Sequence, residues 1–357
     1  MLSRPLAIGL IAGTLLLSGC SPLYILQAVF EQGKILWRRE PIEELLAKPD
    51  LAPELQEKLR LVLAVREYAR DSLRLKVDGS YASYSYVDRP VLSYVLTAAP
   101  KTDLKPYTWW FLFVGSVPYK GFFSAEAAKA EAESFHARGY DTYVRTSPAF
   151  STLGWFDDPL LAHLLKYDKV TLAEVIFHEL LHNTLFVSGV VDFNESLANF
   201  VGNRAAVLFF RDRYGEGSAE HQRAAEAWKE ELEFSAFISE VAASLNDLYT
   251  TERPEEEKLR LREGIFSQSK KEWLQRIVGR PRHQHQAYSQ LEVNNAVIAH
   301  YLLYLKDLAL FESLYDAHGE DLARLVELVG NSIQQSPDPF EAVRGLAGRK
   351  AELKPEP

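Results

Sequence analysis

Cysteine is almost missing from this chain: Cys20 is the single one in 357 residues. No internal disulfide can form, so the fold must stand on a packed core, and a chain of this length with 47% apolar side chains can build one. Positive charge is also in short supply. With 40 Lys and Arg against 49 Asp and Glu, the formal net charge is −9, which argues against nucleic acid as a partner. Internal repeats and low-complexity tracts are lacking, and the 25% of charged residues is ordinary for a globular protein.

What is present begins at the N-terminus. Arg4 followed by the apolar run Leu6 to Leu17, too short to span a bilayer comfortably, predicts a signal peptide over residues 1–19. The run ends in Leu17, Ser18, Gly19 and Cys20, a lipobox, so Cys20 is expected to become the lipid anchor. An uncleaved membrane anchor is the alternative. A mature chain without a free thiol suits an oxidising envelope, and Ser21 after the cysteine favours sorting to the outer membrane. The expectation is a cell-envelope lipoprotein on the periplasmic face of the outer membrane, tethered by acyl chains rather than threaded through the bilayer.

Helical periodicity predicts three helices next, over Tyr24 to Arg39, Pro41 to Lys48 and Pro53 to Leu75. From Gly79 the pattern changes to strands at Tyr84 to Val87, Val91 to Thr97, Thr108 to Val114 and Tyr140 to Thr146. A helix over Ala125 to Arg138, capped by Ser124, lies between the last two. These read as a mixed sheet with a crossover helix. Tyr140 to Thr146, or Ser151 to Phe156, is the candidate edge that holds a substrate backbone. Long helical patterns follow at Ala219 to Tyr249, at Pro254 to Val278, which is heavily charged and expected to be largely solvated, and at Asn294 to His318. The reading is α+β and predominantly helical. Its segments are 1–19, a helical stretch over 20–78, an α/β lobe over 79–190, a helical lobe over 191–348 and a frayed tail over 349–357.

One stretch carries chemistry. His178, Glu179, Leu180, Leu181 and His182 form HExxH in a helical pattern that opens with Thr171 and Glu174 as a capping box. Imidazoles four residues apart lie on one helix face and can grip a single Zn²⁺. Glu179 between them can take a proton from the attacking water. A third ligand is expected from Glu195, in the first turn of a helix that starts near Asp192 after a turn at Gly189. Asp192 is the rival, although its position suits an N-cap. Asn199, one turn beyond Glu195, is expected to hold one histidine through its other ring nitrogen. The three-histidine version HExxHxxGxxH is absent, since Leu185 and Ser188 occupy the places of its Gly and His.

An oxyanion donor is expected downstream from His283, His285, Tyr288, Tyr301 or Tyr304. His283 and His285, flanked by Arg280 and Arg282, otherwise read as a polar surface loop. Asp157 and Asp158 could receive a substrate's α-amino group, or cap a helix beginning near Pro159. The GxMEN signature of one large aminopeptidase group is missing.

From Tyr24 to Phe311 the chain resembles the bacterial putative aminopeptidase family, predicted HExxH metallopeptidases of the cell envelope. The resemblance is carried by Val114–Phe123 (VGSVPYKGFF), Gly139–Tyr143 (GYDTY), Phe150–Pro159 (FSTLGWFDDP), His178–His182, Phe193–Val201 (FNESLANFV), and Asn294–Ala296 followed by Tyr304. Ser116 and Lys120 stand where family members often show Cys and Arg. The resemblance implies a zincin-like fold of the gluzincin type, with His178, His182 and Glu195 on one Zn²⁺, Glu179 as base and Tyr304 as the favoured oxyanion donor. The expected activity is zinc-dependent hydrolysis of a peptide substrate. A lipid-anchored binding or assembly factor without turnover, and a zinc amidase acting on a cell-wall amide, are the alternatives.

Overall fold

In a computed structural model the described residues are 33, 35–87, 91–111, 115–147, 157–280, 282–334 and 336–351. The signal peptide, Cys20, most of the helix expected over Tyr24 to Arg39, and Ser151 to Phe156 lie outside them. None of the described helices is long and apolar enough to cross a membrane.

The protein is α+β and predominantly helical. The chain enters through β1 (Arg39–Pro41), α1 (Ile42–Leu46) and α2 (Pro53–Asp71). Pro53 opens α2, and Leu59, Val62 and Val65 are buried along one stripe. β2 (Ser83–Ser85), β3 (Ser93–Pro100), β4 (Trp109–Phe111), β5 (Gly115–Val117) and β6 (Lys120–Phe122) follow, then α3 (Ala125–Ala137), β7 (Tyr140–Ser147) and β8 (Leu160–Leu161). Ser124 caps α3 by accepting the Ala127 N–H.

The single mixed sheet expected from the sequence is replaced by three small sheets among the described residues. β1-β2-β8 is mixed, β6-β3-β7 is antiparallel throughout, and β4-β5 is a hairpin. α3 is nonetheless a crossover, because β6 and β7 both pair with β3 and lie on either side of it. No helix begins near Pro159; β8 stands there instead.

The remainder is helical: α4 (Lys169–Thr184), α5 (Val191–Tyr214), α6 (Ala219–Tyr249), α7 (Glu255–Arg276), α8 (Asn295–Leu305), α9 (Leu308–Ala317), α10 (Leu322–Ile333) and α11 (Pro339–Ala351). The pattern over Asn294 to His318 is two helices rather than one, since Asp307 takes a left-handed φ of +56° and turns the chain between α8 and α9. α7, for all its charge, is anchored by Phe266 and Trp273, both buried. One cluster of buried side chains runs from Ile42 to Val343. The sheet β6-β3-β7 and α3 share a second one around Leu96, Trp109, Phe122 and Phe135. α8 packs against β3 and β7 on one side and against α5 and α6 on the other, so it joins the sheet to the helical core.

Candidate metal centre

Asp168 starts α4. Its carboxylate accepts the N–H groups of Val170 at 2.9 Å and Thr171 at 3.0 Å, so the cap lies three residues before the Thr171–Glu174 box expected from the sequence. Leu172, Ile176 and Leu180 are fully buried and fix the helix's rotation. His178 and His182 then turn the same way, with their Nε2 atoms 3.2 Å apart. Glu195 Oε2 approaches from α5, 3.2 Å from His178 Nε2 and 3.7 Å from His182 Nε2.

Three donors bound tetrahedrally at ~2.0–2.1 Å would stand about 3.3 Å from one another. The measured triangle fits that figure, and two nitrogens plus one carboxylate oxygen are donors zinc accepts. Among the described residues this is the one group of three His, Cys, Asp or Glu with converging ligand atoms. The charges agree with the geometry. Burial pushes the Glu195 carboxyl up, but hydrogen bonds from His178 and His182 outweigh burial and hold it far below the usual carboxylate range. Burial likewise lowers the His182 imidazole, and its contact with Glu195 more than reverses this.

Two features let α5 deliver Glu195. Gly189 turns the chain at φ +81°, and the Asn194 side chain clamps that loop by accepting from Val187 N at 2.8 Å and donating to Val187 O at 2.7 Å. Gly202, two helical turns past Glu195, lies against α4 so closely that a Cβ there would meet the Glu174 carbonyl oxygen at 2.7 Å and His178 Cβ at 3.2 Å. The helices can pack this tightly because that side chain is missing.

Asp192 is not among the converging donors and is not the N-cap. Val190 occupies the N-cap position, and the Asp192 carboxylate pairs with Lys306 at 2.7 Å. Glu195 consequently falls in the second turn of α5 rather than the first. Asn199 holds neither histidine of the motif. Its Nδ2 donates to Glu231 Oε1 at 2.8 Å and to the Tyr304 carbonyl at 3.1 Å, and His182 Nδ1 is buried without a hydrogen-bond partner.

That second bond explains how Tyr304 reaches the site. The last carbonyls of α8 have no intrahelical partners. Side chains serve instead: Ser196 Oγ donates to Leu303 O at 3.3 Å, Asn199 to Tyr304 O, and Ser235 Oγ to Leu305 O at 2.6 Å. At the other end Asn294 caps the helix and also bonds Thr142 O of β7 at 3.1 Å. Asn295 Nδ2 reaches Pro100 O at 2.9 Å. With both ends pinned, the Tyr304 ring lies nearly parallel to that of His178, 6.4 Å between centroids. Burial and then the Glu195 charge raise its phenol well above the ordinary value, so it stays protonated and can donate.

Of the other proposed donors, Tyr288 is fully buried and bonds Ser269 at 2.9 Å, and Tyr301 packs on Phe234. His283 and His285 do not form a surface loop. His283 is buried, while His285 bonds Glu231 at 2.6 Å and stacks on Phe234 at 4.0 Å. Asp157 accepts the Gly79 N–H at 2.9 Å and staples that turn. Asp158 is buried one residue on, and the enclosed Tyr81 phenol feels the charges of both Asp158 and Glu179.

Three residues beyond the sequence's reading join the site. Tyr119 directs its hydroxyl at Glu195 Oε1 at 3.5 Å, Arg145 donates to the Tyr304 hydroxyl at 3.1 Å, and the His300 ring, one turn before Tyr304, packs tilted against it with 5.3 Å between centroids. Tyr119 lies inside VGSVPYKGFF, and His300 sits at i−4 from Tyr304 on the same helix face, a spacing that could have pointed to it. One oxygen of Glu179, Oε2, is buried here with no hydrogen-bond partner.

Compared with known proteins, residues 23–341 match the family model described as Putative aminopeptidase. The chain belongs to that family. No curated protein and no solved structure matches the chain. The match spans β1 to the first turn of α11, and so covers HExxH, Glu195 and the helix carrying Tyr304 together. Within the matched range Lys120 forms an ion pair with Glu131 at 3.0 Å.

Proposed function

We propose that this protein is a zinc-dependent metallopeptidase of the bacterial cell envelope, zincin-like in fold and of the gluzincin type, acting as an aminopeptidase. The observation that carries the reading is the 3.2, 3.2 and 3.7 Å triangle of His178, His182 and Glu195 donors beside a Glu179 oxygen that has no partner. Zn²⁺ held by those three side chains would supply a Lewis acid that polarises a carbonyl and lowers the pKa of a water molecule.

The protein's own groups do the rest. Glu179 takes the proton of the attacking water and delivers it to the leaving amine. The Tyr304 hydroxyl donates to the oxygen on which negative charge develops, with Tyr119 beside it as a second phenol. Asp158, whose charge reaches the Tyr81 phenol together with that of Glu179, is the acidic residue proposed to meet a substrate ammonium. β7, paired on one side only among the described residues, offers a strand edge for the substrate backbone. The signal sequence and lipobox support anchoring through a lipidated Cys20 on the periplasmic face of the outer membrane, with a peptide as the soluble partner.

The test is to incubate the purified full-length protein with a defined peptide mixture and map the new ends by mass spectrometry. Loss of single N-terminal residues supports the reading, internal cuts would replace aminopeptidase with endopeptidase, and no cleavage by a zinc-loaded sample would overturn peptidase activity.

A further inference from the structure

β7 sorts its side chains by parity. Tyr140 and Thr142 meet Phe135 and His136 of α3, whereas Asp141, Tyr143 and Arg145 face α8 through Asn295, His300 and Tyr304. The α8 face therefore carries one cation at the end nearest the metal ligands.

The contrast with Arg262, which reaches the same face from α7, is informative. Arg262 is buried and neutralised by a two-pronged bond to Asp141 at 2.7 and 3.2 Å. Arg145 has no such partner. Its Nη2 donates to the neutral Tyr304 hydroxyl, its Nη1 makes a 3.5 Å contact with Thr146 O, and its Nε is buried with no partner. No carboxylate among the described residues lies within ion-pair distance of it. Its charge reaches Tyr119, Tyr143, Tyr167, His300 and Tyr304, and none of these is an anion that could balance it. Glu195 is already engaged by two imidazoles. A permanently charged fork with unused donors, walled by phenols, fits a planar carboxylate.

We infer that Arg145 is a specificity residue that receives a carboxylate of the substrate, placed close to the scissile bond. That group is either the free C-terminus of a short peptide or the side chain of an Asp or Glu. The inference rests on the peptidase reading. A guanidinium only donates, so its bond to Tyr304 also obliges the phenol oxygen to accept there and leaves the O–H proton to point elsewhere. The test has to separate this positioning effect from recognition of the substrate.

Zinc-loaded Glu179→Gln protein, which binds without turnover, is titrated calorimetrically with a tripeptide as free acid and as C-terminal amide. A second pair, pentapeptide amides carrying internal Glu or Gln, is titrated in the same way. The acid of one pair should bind about 10- to 100-fold tighter than its neutral partner, and the identity of that pair tells C-terminus from side chain. Adding Arg145→Gln should collapse the ratio to near one, while Arg145→Lys keeps part of it. Equal affinities within both pairs would overturn the inference. So would an Arg145→Gln variant that weakens acid and amide alike, since Arg145 would then act only through Tyr304. Should Arg145→Gln fail to fold, the two ratios in the parent protein decide alone. Cleavage by the wild type is followed in parallel. Discrimination in binding without any cleavage would sink the peptidase reading and leave the carboxylate site, and cleavage without discrimination would do the reverse.

Discussion

The molecule holds two clusters of histidine and glutamate that are alike in composition and opposite in construction. In the first, His178 and His182 lie one helical turn apart, and their Nε2 atoms converge with Glu195 Oε2. In the second, His283 and His285 lie two residues apart in a loop, and their ring nitrogens do not converge on a shared carboxylate. His285 Nε2 bonds Glu231 Oε2 at 2.6 Å, and His283 Nδ1 accepts the His285 N–H at 3.1 Å. Glu231 Oε1 accepts from Asn199, and Glu230 lies 3.6 Å from Arg280. The second cluster is held by its own hydrogen bonds, with His283 Nε2 alone left buried without one, whereas the first brings three donor atoms together around one point where a single cation could meet them all. What separates a metal centre from a structural network is convergence of lone pairs, not the number of ligating residue types. The two are also linked, because Asn199 reaches from Glu231 to the Tyr304 carbonyl.

The contrast can be broken by substitution. Glu179→Gln should cut the turnover number by about 10²- to 10⁴-fold while leaving bound zinc unchanged, as steady-state kinetics and elemental analysis on one preparation would show. Glu231→Ala strips His285 of its buried partner and should cost about 3 kcal/mol of stability in a urea titration, with zinc retained. If zinc were lost as well, the clusters would not be separable. Gly202→Ala attacks the first cluster from behind. The methyl meets the Glu174 carbonyl, so a loss of about 1–3 kcal/mol should come with weaker zinc binding in a chelator competition.

Glu174 sharpens the comparison through pH. Burial, then the charge of Glu231, pushes its carboxyl from the ordinary 4.5 up to about 8, and its Oε1 is sealed without a partner. A folded-state value above the unfolded one means that the folded protein binds the extra proton. The stability linked to this group is therefore complete below about pH 4.5 and is lost as pH rises toward about 8. Glu174→Gln should remove that loss, on the order of 3–5 kcal/mol. Its urea midpoint should exceed that of the wild type at pH 9 and match it at pH 5.

How much of this was legible in the sequence follows from how local each signal is. The HExxH helix, the turn at Gly189 and the span of α6 were readable because caps and periodicity are properties of neighbouring residues. The division between α8 and α9 was hidden, since Asp307 sits in an apolar run that nothing in its own spacing interrupts. Strand partners are set by distant contacts, which is why one sheet was expected where three stand. Asn199 was assigned to a histidine on sequence proximity, but its partners come from α6 and α8. Tyr119 and Arg145 belong to a turn and a strand that only tertiary packing brings to Glu195 and Tyr304 respectively.

The central claim is a metal held by two helices, and metal stoichiometry tests it most directly. Inductively coupled plasma mass spectrometry on purified full-length wild type, Glu195→Ala and Asp192→Ala should find close to one zinc per chain in the first and third and far less in the second. Loss of the half-buried Asp192–Lys306 pair should cost no more than about 1 kcal/mol. A wild type without stoichiometric transition metal, or a Glu195→Ala protein that binds zinc as tightly as its parent, would contradict the account.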